Sequence, residues 1–135
     1  IHTVYSSADA PGLITDILTF RTDFIKENPE TISAIIEAYF RGLNFWKENH
    51  YEANAIVARY FGDTPESIAK QMEGIIMLDK LDNRTAFTFA PGLQSLYGNM
   101  RRIGVFVQEQ RQKDTIKKLD TDSLIEPRFI RKILR

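Results

Sequence analysis

Residues 1–5 (IHTVY), 6–12 (SSADAPG) and 13–20 (LITDILTF) decide the fold class. The first run alternates weakly and reads as a strand. The second is a turn, with small residues, an Asp and then Pro-Gly. The third is apolar and partly β-branched, interrupted by Asp16, and reads as a buried strand. Two strands cannot make a stable sheet, and a strand as apolar as Leu13–Phe20 wants neighbours on both edges. The reading is therefore α/β, mostly helical, with one or two strands that need partner strands from elsewhere.

Working outward, the rest of the chain is helical. Asp23–Asn28 fits one short turn. Pro29 suits a first helical position, Asn28 its cap and Glu30 the positive helix end. Ile32, Ile35, Ile36, Tyr39, Leu43 and Trp46 then recur at helical spacing. Trp46, Tyr39 and Phe40 read as core. A second helix covers Glu52–Phe61 and stops at Gly62. Thr64 caps a third, with Pro65 first and Ile68, Met72, Ile75 and Ile76 on its apolar face. Met77–Ala90 loses the period and reads as a loop or short strand. A fourth helix runs from Leu93 to Lys113 on Leu96, Met100, Ile103 and Val107, and Gly98 and Gly104 permit a close contact. Asp122 or Ser123 starts a short turn, and Pro127 starts a last helix to Arg135.

The length, 135 residues, gives one domain with room for a core. Eighteen Lys+Arg balance eighteen Asp+Glu, which argues against a nucleic-acid binder. The balance is uneven along the chain. Residues 101–135 hold ten bases against five acids, a net +5 that leaves −5 on residues 1–100. Cysteine is absent, which excludes disulfide scaffolds, Cys-ligated zinc and thiol nucleophiles and suits an oxidising compartment. No apolar run reaches the ~18 residues that span a bilayer, and no signal peptide is visible. A chain that opens at Ile1 inside an element reads as a fragment or a processed piece.

Five features, in this order, resemble the C-terminal half of extracytoplasmic solute-binding proteins of ABC transporters. They are the Ser-rich turn Ser6–Gly12 after a strand, and the apolar strand ending in Arg21 with Asp23–Phe24–Ile25 behind it. Asn28–Pro29–Glu30 then opens a helix, followed by Ala38–Tyr39 with Trp46–Lys47 and Glu52–Ala53. Ile125–Glu126–Pro127–Arg128–Phe129 closes the chain. The similarity covers nearly all of the sequence. It is nearest the nitrate/sulfonate/taurine/bicarbonate type, related to the binding proteins for thiamin-pyrimidine precursors. The resemblance implies a bilobal fold of the periplasmic-binding-protein type II kind, with ligand between the lobes. Residues 1–12 would be the last strand of the second lobe and the hinge-proximal turn, and residues 13–135 the C-terminal part of the first lobe. The implied setting is periplasmic or otherwise extracytoplasmic. The implied partners are a small-molecule ligand, the missing N-terminal half and an ABC permease. Nitrate, sulfonates, taurine, bicarbonate and pyrimidines all remain open as ligands.

In such a fold the loops in this region face the cleft, which points to Ser6, Ser7, Asp9 and Gly12 as ligand-binding. Hydroxyls and open backbone N–H groups can hold an anionic oxygen without a full positive charge. Asp16 is a further candidate, because a carboxylate in an apolar strand is costly unless paired. It would take a ligand amine or amide, or else pair with Arg21. No catalytic residue, metal site or cofactor is expected. His2 and His50 are too far apart for a metal motif, and His50 reads as a helix-end residue. Asp79, Asp82 and Asn83 lack the Gly and closing Glu of a calcium loop. The expected role is solute capture for import, without bond chemistry. The alternatives are a sensor domain of a signalling receptor, an enzyme making the thiamin pyrimidine, and a free-standing helical interaction module. Exposed strand edges would drive self-association.

Overall fold

A computed structural model describes residues 2, 4–110 and 120–133. Among the described residues seven α-helices follow one another: α1 (Thr22–Glu27), α2 (Pro29–Glu48), α3 (His50–Phe61), α4 (Pro65–Met72), α5 (Lys80–Ala86), α6 (Leu96–Gln110) and α7 (Arg128–Ile133). Short 3₁₀ turns occupy Ser7–Asp9 and Asp122–Leu124.

There is no strand among the described residues. This overturns the α/β, periplasmic-binding-protein type II reading: the described architecture is all-helical. Residues 14–21 carry no regular element, and no backbone ladder pairs them with another described segment. The reason is physical. A strand is defined by a neighbour that meets its N–H and C=O groups, and every other described element is a helix that has already used its own.

The helix boundaries follow local chemistry. Thr64 accepts the Ser67 N–H at 3.2 Å and Pro65 opens α4. Gly62 ends α3 with φ of +70°, a left-handed conformation that costs glycine little. Pro29 opens α2, but Asn28 does not cap it. The Asn28 side chain instead donates back to Phe24 O at 3.4 Å, closing α1. Where a loop or short strand is expected, α5 forms. Asp79 Oδ1 accepts the N–H groups of Leu81 and Asp82 at 2.9 and 3.1 Å, while Asp82 Oδ2 accepts the Asp79 N–H at 3.0 Å. Asp79 and Asp82 are thus a capping box, and no group of metal-ligating side chains occurs among the described residues.

The core lies where α2 meets α3, α7 and α1, and where α3 meets α4. Ile32, Phe40 and Leu43 of α2 are buried, with Ala53 and Ala58 of α3, Ile68 of α4, and Phe129 and Ile130 of α7. Of the apolar positions expected inside on α2, Ile32, Phe40 and Leu43 are buried, while Ile35 and Tyr39 are exposed. Trp46 reaches across to α3, where its Nε1–H donates to the buried Asn54 Oδ1 at 2.9 Å. His50 packs edge-on to Trp46 at 4.5 Å, so it opens α3 rather than closing α2. Arg128 of α7 donates to Ile25 O of α1 at 3.3 Å.

Toward the C-terminus, α6 buries Tyr97, Gly98 and Asn99 at its start. Farther along, Ile103, Val105, Phe106 and Val107 are exposed. A Cβ at Gly98 would sit 2.5 Å from Pro91 O, so this glycine serves a helix-to-loop approach. The expected extensions to Lys113 and Arg135, and Ile1 and Thr3 of the first strand, lie outside the described residues.

Candidate functional site

The five candidate ligand residues sit in and just after the N-terminal turn. The Ser7–Asp9 3₁₀ turn is closed by the Asp9 carboxylate, whose Oδ2 accepts the Ser6 N–H at 2.7 Å and the Ser6 hydroxyl at 3.2 Å. The Asp9 N–H in turn donates to Ser6 O at 3.1 Å. Ser6 therefore spends both its donors on one oxygen of Asp9, and the turn carries a negative charge. Ser7 lies within it, exposed.

Gly12 is placed by packing. Its φ is +87°, and a Cβ there would stand 2.5 Å from Leu93 O. The chain reverses at this point against the segment leading into α6. Asn99, 2% exposed, uses its Nδ2 to donate to Gly12 O, and also to Leu13 O at 3.4 Å. One buried amide thus fastens the turn to α6. Ser95, in the segment before α6, donates its hydroxyl to Thr88 O at 2.6 Å and accepts the Tyr97 N–H at 3.2 Å. Asn99 and Ser95 were not singled out from the sequence, because polar residues on an amphipathic helix ordinarily face water.

Asp16 lies on the extended segment, exposed among exposed apolar neighbours. It does not pair with Arg21, whose guanidinium is engaged by Asp23 at 2.6 and 3.1 Å. That contact, followed by the Phe24 N–H, holds the Asp23 carboxyl below the usual range. Ser6, Ser7, Asp9 and Gly12 are therefore brought together as one anchored turn, and Asp16 follows it on the uncovered strip. Ile14 is 76% exposed, and Ile17 and Leu18 are also exposed.

Residues 1–20 carry acidic side chains and no Lys or Arg. Asp9 and Asp16 are the charges nearest in sequence, and no basic side chain of the described residues hydrogen-bonds to the turn. No helix among the described residues is long and apolar enough to cross a membrane. Compared with known protein families, curated proteins and solved structures, the chain matches none.

Proposed function

We propose that the chain forms one wall of a solute-capturing site in an extracytoplasmic component of an ABC importer, with Ser6, Ser7, Asp9, Gly12 and Asp16 on that wall. The observation that carries this reading is the pairing of a fixed turn with a bare strip. Asn99 anchors Gly12 and Leu13, and the chain then runs out through Ile14, Ile17 and Leu18, all exposed. Burying such side chains is worth about 1.5–3 kcal/mol each, so the strip is a surface for covering. A covering segment that arrives there meets the Ser6–Gly12 turn at its end. A small solute is then held between the two, and release follows when they part. The acidic turn adds a preference within the solutes left open by the sequence. Among them, one that carries an amine, such as taurine, fits Asp9 and Asp16 better than nitrate does.

The test is a Ser7→Ala, Asp16→Asn variant of the native gene product, titrated calorimetrically with taurine, nitrate, an alkyl sulfonate and bicarbonate. Both side chains are exposed. The expected result is roughly tenfold weaker binding of the preferred solute, the loss of one or two polar contacts, with the melting temperature unchanged. Unaltered affinity contradicts the reading.

A further inference from the structure

A groove of about 230 Å³ lies between the end of α5 and α7, lined by Arg84, Phe87, Thr88, Phe89, Ile130 and Arg131. It is built from elements outside the N-terminal turn and is independent of the importer reading. Its floor is apolar: Ile130 is buried and Phe87 half-buried. Its rim is aromatic and held in place. Phe89 is 64% exposed, yet its ring lies 5.2 Å from Tyr97, with the Arg101 guanidinium stacked 4.4 Å from its centroid. Arg101 is itself fixed by Asp122, which accepts from its Nε at 2.8 Å.

The charge of the groove is one-sided. Arg84 comes from α5 and Arg131 from α7, and neither makes an ion pair among the described residues. No carboxylate lines this groove. The nearest acid in the adjoining groove is Glu126, which shares that space with Arg128, Arg131 and Lys132 and is held by Arg128 at 3.2 Å. The Thr88 hydroxyl donates to Arg84 O at 2.9 Å, so toward the groove it offers only an acceptor oxygen.

From this combination we infer that the α5–α7 groove binds a small organic carboxylate with an aromatic body. A cavity of roughly 150 Å³ takes a benzene ring, so the space here holds a ring and its carboxylate. A guanidinium meets a carboxylate with two parallel hydrogen bonds, and two arginines line the groove. The floor of Ile130 and Phe87 takes the ring out of water and selects against anions that are polar throughout.

The probe is benzoate, titrated into the isotope-labelled chain and followed by amide chemical shifts. Acetate supplies the head without the ring, and benzyl alcohol the ring without the charge. The expected result is saturable shifts clustered at residues 84–89 and 129–132 with benzoate. Acetate and benzyl alcohol should each bind about tenfold more weakly. Arg131→Ala and Arg84→Ala should each weaken benzoate about tenfold, the loss of one charge-assisted contact, at an unchanged melting temperature. Arg131→Lys keeps the charge without the fork and should fall between, which preserves the test if an alanine variant unfolds. Shifts scattered over the chain, equal response to acetate, or full benzoate affinity in the arginine variants would overturn the inference.

Discussion

A buried amide side chain costs free energy unless its polar atoms are met, and Asn99 meets its donor by reaching 87 residues back to Gly12 O. No period or spacing marks that role in the sequence, where Asn99 is one polar residue on an expected helix. Gly12 was visible as part of a Pro-Gly turn, but its packing against Leu93 was not, because that contact is long-range. Asn99→Ala strands the Gly12 carbonyl and is expected to destabilise the chain by about 1–3 kcal/mol, read as a lower thermal midpoint by circular dichroism. An unchanged midpoint would mean that the turn is not fastened there. Asp63 makes a pH prediction at the same scale. Its carboxylate accepts the Thr64 N–H at 2.7 Å, then the Ser67 hydroxyl at 2.9 Å and the Gln71 amide at 3.1 Å, which together hold its pKa below the ordinary value. A carboxyl lowered in the folded state stabilises it above the unfolded pKa, and that contribution is lost as pH falls through the folded one. Urea midpoints should therefore decline on acidification, and Asp63→Asn should flatten part of that decline. An identical slope in the variant would count against the Asp63 contacts.

At the scale of elements, legibility followed locality. Pro29, the Thr64–Pro65 start and the Gly62 stop act within a turn of chain, and each marks an observed boundary. Thr64→Ala removes the acceptor for the Ser67 N–H and is expected to cost about 1 kcal/mol, checked by the urea midpoint; no change would remove Thr64 as a cap. The same kind of local signal stands at Asp79, inside a stretch whose lost period reads as a loop or short strand: Asp79 and Asp82 form the capping box of α5. On α2, Tyr39 and Phe40 are both apolar enough to continue the stripe, and both read as core. Packing chose Phe40, whose burial is nearly complete at 4% exposed. Strands were the least legible elements. Leu13–Phe20 has the composition of one, but composition supplies no partner, and none of the described elements provides it.

At the scale of the whole molecule, the helices close around Ile32, Phe40, Leu43, Ile68 and Phe129, while the strip beyond the N-terminal turn stays uncovered. The Ser6–Gly12 stretch is legible as a turn from its small residues, Asp and Pro-Gly. That Ser6 donates to Asp9 is not, because either side chain could equally have faced a ligand. The central claim is that this turn is one wall of a site whose other wall is brought by a covering segment. Isothermal titration of the 135-residue chain and the native gene product, side by side with taurine, an alkyl sulfonate, nitrate, bicarbonate and a pyrimidine precursor, tests it most directly. The account predicts micromolar or tighter binding of one solute to the native product and no binding of that strength to the chain alone. Micromolar binding by the isolated chain, or none by either, would contradict it.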